Sequence, residues 1–190
     1  WGSVWWGTRE TTGEVWADGT PLPVGQGGHS SGDGSTCLHV AEAASRFAPT
    51  EVWESRNPWL MEKVELAQDS CGAGEHRGGM GLDFHFLMLE DSYVTATMER
   101  CKTEPWGSNG GKEGRPNGGA VMWPDGEKTE ITKVTGLKVT KDSTFEIRCG
   151  GGGGYGDPDK RTVEAVMSDL REGYISETYA RENYPHAFKE

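Results

Sequence analysis

Five glycines in succession, Gly150 to Gly154, join an alternating run, Ser143 to Cys149, to Tyr155-Gly156-Asp157-Pro158 and a helical tail. Glycine loses more backbone freedom on ordering than any other residue, so an ordered run of five is costly. Such a run is either a flexible linker or a backbone that takes φ > 0 or lies against another surface. Linkers commonly mix in Ser and Lys and repeat themselves. Here Tyr, Asp and Pro follow at once, which favours the ordered alternative.

Composition points the same way. Only 34% of the 190 residues are hydrophobic and 29 are glycine, a thin core for this length, so much of the chain is expected to pack on something else. The formal net charge is −11 and no basic stripe is present, which disfavours a nucleic-acid partner. No apolar run is long enough to span a membrane. The opening WGSVWWGTRE lacks the basic and apolar regions of a signal peptide. A soluble, cytoplasmic chain is expected. Cys37, Cys71, Cys101 and Cys149 are far apart and form no Cys-x-x-Cys pair, unlike zinc-ribbon ligands. Four separate reduced thiols are expected, although the spacing leaves two disulfides open.

Residues 1–36 read as a Trp/Gly-rich extended arm or loop, 37–156 as a β body, and 157–190 as a helical tail. Within the body, CLHVAEAASRF (37–47) fits helix or extended chain. EVWESRN, WLMEKVELAQ and LDFHFLML read as strands, and SYVTATMER as a further strand after a tight hairpin turn at Glu90-Asp91. Ala120–Trp123 and Thr129–Val134 flank the turn signal Pro124-Asp125-Gly126, and Gly136–Cys149 reads as another strand pair. In the tail, Asp157-Pro158 starts a helix with Val163, Val166, Met167 and Leu170 on one face, and Gly173 stops it. Ser176 opens a second helix. The expected fold is mainly β (α+β): a β-sandwich or partial-barrel body with two short C-terminal helices.

Several clusters could carry chemistry. His29, Asp33 and His39 lie in a Gly/Ser-rich stretch, but no hairpin or helix is specified to join them, and exposed loop histidines are the plain alternative. Glu51 and Glu54, on opposite faces of an expected strand, are not an acid/base dyad; a buried Glu54 would pair with Arg56 or Arg77. Asp69-Ser70-Cys71-Gly72-Ala73-Gly74 and Arg77-Gly78-Gly79-Met80-Gly81 make an irregular loop whose amides could converge on an anion beside the Arg77 guanidinium. The competing reading is a Gly-rich strand entry with Arg77 in a structural ion pair. Cys71 has no assigned base beyond nearby His76. Arg100, Lys102, Lys112 and Arg115 bracket Trp106, either as an anion site or as a solvated rim. The terminal tryptophans suggest an interface.

The segment GGGGYGDPDKRTVEAVMSDLREGYISETYARENY resembles the C-terminal signature of the hydantoinase B/oxoprolinase family, through Gly151–Pro158, Arg161, Asp169–Gly173 and Ala180-Arg181 to Tyr184. Upstream, Glu51–Gly81 is similar to the family's Glu-x-x-Glu-x-x-x-Pro strand and its following Gly-rich block. Arg100, Pro105-Trp106-Gly107 and Gly110-Gly111-Lys112 resemble a further family loop. Members are several hundred residues long, and the likeness is to their C-terminal third; any metal-binding His and Asp residues are expected in the remainder.

The resemblance implies a hetero-oligomer with a hydantoinase A-like ATP-binding subunit and a chain carrying the N-terminal hydantoinase B portion. ATP and a divalent metal would sit on those partners, with no cofactor held by this chain alone. Opening of cyclic amides such as 5-oxoproline or hydantoins is the favoured activity. ATP-dependent carboxylation of ketones such as acetone or acetophenone, or a noncatalytic assembly role, are the alternatives. Catalytic residues are not identified. Substrate or intermediate contacts are expected at Asp33, His39, Arg77, Gly78, Gly79, Arg100, Gly152, Gly153, Gly154 and Tyr155.

Overall fold

The computed structural model describes residues 2–21, 23–38 and 48–189, with backbone alone at 20 and 21. Among the described residues, nine strands form two antiparallel sheets. The first four are β1 (Gly2–Thr8), β2 (Val15–Pro21), β3 (Trp59–Leu66) and β4 (Leu82–Met88); then come β5 (Ser92–Thr97), β6 (Gly118–Met122), β7 (Lys128–Ile131), β8 (Lys133–Val139) and β9 (Thr144–Arg148). One sheet runs β2-β1-β5-β8, the other β3-β4-β9-β6-β7. Alternation decides which face is buried. In β4, Leu82, Phe84, Phe86 and Met88 point inward, and Phe145 and Ile147 of β9 join them. Trp5, Val94, Ala96 and Val139 close the same core from the opposite sheet. The body is a sandwich, as expected.

Four local expectations are corrected. Residues 2–8 and 15–21, grouped by sequence with an extended arm, are β1 and β2. Trp5 is fully buried, its ring 4.6 Å from Phe145 and its indole donating to Ser3 Oγ at 2.8 Å. EVWESRN is not a strand but lies in α1 (Thr50–Arg56), with Glu51 in its first turn, Arg56 in its last and Trp53 buried. Short apolar alternation fits either element, and charges complementing the helix dipole tip the balance. Glu90-Asp91 does not close a hairpin, because β4 and β5 belong to different sheets. The chain reverses there across the end of the sandwich. For the same reason Gly136–Cys149 is not a strand pair: β8 and β9 lie in opposite sheets. Most of CLHVAEAASRF falls outside the described residues.

Beyond β9, Gly150–Tyr155 runs as an extended strand with no ladder of its own, touched by isolated bridges only at Tyr155. Its hydrogen bonds step in threes. Gly25 and Gly28 donate to the carbonyls of Gly150 and Gly153 at 2.9 and 2.8 Å. Gly151 and Gly154 donate to Arg115 and Lys112 at 3.1 and 2.8 Å, and Gly152 and Tyr155 to Gly79 and His76 at 2.9 and 2.8 Å. A β-strand bonds to two sides with a period of two. Bonding to three sides with a period of three is the signature of a threefold extended helix. The glycines are therefore ordered, and none from Gly150 to Gly154 takes positive φ. What they supply is closeness. A Cβ on Gly151, Gly152, Gly153 or Gly154 would overlap the carbonyl oxygen of Ser70, Gln26, Trp106 or Ala73 respectively.

The tail seals one side of this bundle. α2 (Val163–Arg171) is capped by Thr162, and Gly173 ends it at φ +73. α3 (Glu177–Asn183) is capped by Ser176. Val166, Ile175, Ala180 and Tyr184 form a second core with Cys71, Ala73 and Met80. Val163 and Met167, expected on the buried face, are partly exposed at 43% and 37%; Asp169 is buried in their place.

Gly152→Ala should lower stability by about 3 kcal/mol or block folding, because backbone must move to admit the methyl. A Cβ on Gly27 would lie 3.6 Å from Gly153 O, an ordinary contact, so Gly27→Ala should stay within about 1 kcal/mol of the parent. Urea unfolding midpoints of the two variants check both.

Candidate functional site

The expected site residues separate into two places. Asp33, Arg77 and the Gly78-Gly79 backbone meet at the base of the helical tail, in a network completed by Arg161 and Asp169. Arg161 grips Asp33 with both terminal nitrogens, at 2.8 and 2.9 Å, and reaches Asp169 Oδ2 at 2.7 Å. Arg77 Nε donates to Asp169 Oδ1 at 3.0 Å, and its backbone N–H donates to Asp33 Oδ1 at 2.9 Å. Arg77, Arg161 and Asp169 are buried. Burial disfavours the Asp33 carboxylate, but the Arg161 hydrogen bonds and the charges of Arg161 and Arg77 outweigh it and hold its carboxyl below the ordinary range.

This arrangement answers the anion-loop reading. Arg77 is an ion-pair partner, and the amides that would have met an anion are engaged within the protein. Gly72, Gly78 and Gly79 donate to the carbonyls of Gly152, Gly72 and Gln26, Gly74 to the Tyr184 hydroxyl, and Gly81 to Ser70 Oγ. His29 is exposed beside Ser31; His39 lies outside the described residues. Glu54 pairs with neither arginine, but accepts from the Met61 N–H at 2.8 Å and so ties α1 to β3.

The second place is a cleft of about 400 Å³ floored by the backbone of Gly150–Gly153 and bordered by Gln26, Pro105, Trp106, Asn117 and Arg100. It gathers Arg100, Gly152 and Gly153 from the expected set. The Arg100 guanidinium stacks over the Trp106 ring, 4.2 Å from its centroid. Lys112 and Arg115 turn away, to Asn183 and Asp83 respectively. Gly154 and Tyr155 do not reach the cleft; Tyr155 pairs with His76, backbone to backbone and ring over ring.

Among the described residues, no carboxylate, imidazole or thiol lines this cleft, so those that do can hold and orient a guest but cannot exchange a proton with it. Cys71 is no nucleophile: burial pushes its thiol up to about 11. All four cysteines are free. Among the described residues, no three His, Cys, Asp or Glu side chains converge to hold a metal ion, and no helix is long and apolar enough to cross a membrane.

Arg161 and Asp169 carry part of the family resemblance, and the sequence alone gives them no role in the site. The signal for Asp169 was present: a carboxylate three residues after Val166, beside Leu170 in the apolar stripe of α2, where a charge needs a buried partner.

A family model described as Hydantoinase B/oxoprolinase matches residues 1–158. The B-type subunit of a putative D-/L-hydantoinase from Pseudomonas sp. strain NS671 is 30% identical over 162 residues, 83% of this chain and 27% of that protein. The crystal structure of an ATP-dependent caprolactamase from Pseudomonas jessenii matches with a TM-score of 0.85 at 25% identity, over 96% of this chain and 33% of its own. An acetone carboxylase, solved nucleotide-free, matches with a TM-score of 0.81 at 19% identity, over 96% of this chain and 29% of its own. That last likeness is one of fold alone. The chain thus spans only about a quarter to a third of the length of these three proteins.

Asp169→Asn should cost about 3–5 kcal/mol by leaving two buried guanidiniums short of charge, read as a shift in denaturation midpoint. The Asp33 contribution has a defined pH window. Because its folded pKa is depressed, the contribution is complete above the unfolded value of about 4 and is lost as pH falls through the lower folded value. Asp33→Asn should flatten that acid limb of the stability curve while leaving its slope at neutral pH unchanged. Iodoacetamide should label exposed Cys37 in the folded chain and spare buried Cys71 and Cys149, as peptide mass spectrometry would show.

Proposed function

The chain belongs to the hydantoinase B/oxoprolinase family, and from that premise we propose that it is a subunit, or the C-terminal portion, of an ATP-dependent cyclic-amide hydrolase. The observation that carries this reading is the alignment with a B-type hydantoinase subunit over 83% of the chain, supported by the shared fold with an ATP-dependent caprolactamase. It would act with a hydantoinase A-like ATP-binding subunit and the N-terminal hydantoinase B portion, in the cytoplasm. ATP and a divalent metal would be bound on those partners. Phosphorylation would turn a poor electrophile into a good one, within a site that excludes water until attack.

This chain's contribution is architectural and orienting. Among the described residues, its cleft has a guanidinium, an aromatic face and backbone, with no acid or base. The glycine wall owes its composition to packing within the chain, so the requirement for glycine there is independent of any reaction intermediate. The acetone carboxylase likeness keeps ketone carboxylation as the second reading.

Reconstitution separates these. The chain alone should neither hydrolyse ATP nor open a ring. Combined with an A-type subunit and the N-terminal portion, it should support ADP release matched by ring-opened product from 5-oxoproline, a hydantoin or caprolactam, and its omission should abolish turnover. ADP release requiring bicarbonate and acetone would select the carboxylase reading, and failure to associate with either partner would overturn both.

A further inference from the structure

A separate cleft of about 350 Å³ opens at the base of the tail. Gly32, Asp33, Glu75 and His76 line it from the bundle, and Lys160, Arg161, Thr162 and Ala165 from the tail. It lies at the tail end of the bundle, where Gly34 donates to Arg77 O; Leu38 pairs with Val24 at the opposite end, against the sandwich core. Both walls are mounted on one short stretch of chain. Glu75 and His76 donate their backbone N–H groups to Gly156 and Tyr155, and Lys160 donates its own to Asp157.

The charges of the cleft divide into matched and unmatched. Asp33 and Arg161 hold each other through two hydrogen bonds, and Asp169 shares the same guanidinium. Among the described residues, the Glu75 carboxylate and the Lys160 ammonium make no hydrogen bond or ion pair, with each other or with any neighbour. Each sits in a setting of its own sign. Beside Glu75, Asp33 adds a second carboxylate, with His76 Nδ1 4.0 Å from Asp33 Oδ1. Beside Lys160, the Thr162 oxygen accepts from the Ala165 N–H, which leaves its hydroxyl proton free to donate. One wall therefore attracts a cation and the other an anion, and a guest of a single charge satisfies only half of the site.

We propose that this cleft is a small-molecule site for a compact zwitterion, with an amine held by Glu75 and a carboxylate held by Lys160 and Thr162. His76 lies alongside the bound molecule. The volume suits a ligand of a few heavy atoms, and the walls are rigid because their backbones are tied to the bundle. Hydrolysis of a lactam makes such a molecule from an uncharged one. The C–N bond breaks, the oxygen of water joins the acyl carbon to give a carboxylate, and the nitrogen leaves as an ammonium. The cleft thus separates an opened chain from its closed ring by charge. Only this identification with an opened lactam rests on the hydrolase reading above. The zwitterion site itself stands on the arrangement of Glu75, Lys160 and Thr162.

The test is NMR of the 190-residue chain, with the His76 ring proton, identified by its loss in His76→Gln, as reporter. Titration with 6-aminohexanoate should move it saturably, and caprolactam at the same concentrations should leave it in place. Hexanoate and hexylamine, each carrying one of the two charges, should bind about tenfold more weakly. Glu75→Gln and Lys160→Gln should each weaken 6-aminohexanoate about tenfold. Both side chains lie outside the Arg161 network, so urea midpoints should match the parent. The exchange of Glu75→Lys with Lys160→Glu should bind more tightly than either single reversal, because the ligand can turn round. Absence of a saturable shift, equal binding of caprolactam, or affinity unchanged in both neutral variants overturns the inference. Binding is read without ATP or partner chains. Its failure therefore leaves the hydrolase reading standing, and failure of turnover in the reconstituted complex leaves the site standing.

Discussion

The rest of the molecule is arranged around one extended strand whose backbone is bonded on several sides. Segments 25–28, 76–79 and 112–115 pair with Gly150–Tyr155 every third residue, and the Gly72 and Ser108 amides add bonds to the carbonyls of Gly152 and Gly154. Such packing leaves no room for a Cβ on Gly151–Gly154, while neighbours such as Ser70, Gln26, Ala73 and Trp106 meet the strand through their backbone carbonyls. The entropic penalty is large. Offsetting it are closely packed amide hydrogen bonds, each worth about 1 kcal/mol net, with Cα–H to oxygen contacts beneath them. This accounts for a chain with few apolar residues and many glycines: part of its interior is backbone.

A backbone interior has a weakness that the rest of the structure answers. Segments without side chains cannot grip their surroundings by hydrophobic contact, so they must be held from outside. The sandwich holds one end, since Cys149 passes directly from β9 into the glycine strand and lies in the main core. The second core holds the opposite side through Tyr184, whose hydroxyl accepts from the Gly74 amide. Between them, Arg77, Arg161, Asp33 and Asp169 join three distant stretches of chain. Long guanidinium side chains reach across the bundle where short apolar ones cannot. Buried charge is an expensive way to fasten a protein, but here few alternatives have the reach.

What the sequence made legible follows from how local each signal is. The sandwich class, the turn at Gly126 and the stop at Gly173 rest on short patterns, and the structure agrees, with φ of +87 and +73 at those glycines. Glu90-Asp91 announced a reversal, but a reversal looks the same whether the next strand joins the same sheet or the facing one. EVWESRN was too short for its period to choose between helix and strand. Arg77 was visible as an arginine among glycines, yet its fate depended on Asp169, ninety-two residues away. The glycine run was read as backbone against a surface. That the surface is the chain's own Gly25–Gly28, His76–Gly79 and Lys112–Arg115 segments is a long-range fact that no local pattern carries.

This bears on what a glycine-rich resemblance can establish. The residues that first suggested the family, Gly151–Pro158 and the block from Asp69 to Gly81, are largely those the bundle needs in order to close. A lactam-opening enzyme and a ketone-carboxylating one with the same bundle would need them equally. The match to acetone carboxylase at 19% identity with a TM-score of 0.81 fits that view, because backbone packing constrains a few glycines and leaves most other positions free. The motifs therefore report architecture. Choice of substrate must be made by residues with side chains, and in this chain those near the open cleft are few: Gln26, Arg100, Trp106 and Asn117. Among the described residues these side chains include no acid or base, so they can hold a guest but cannot exchange a proton with it.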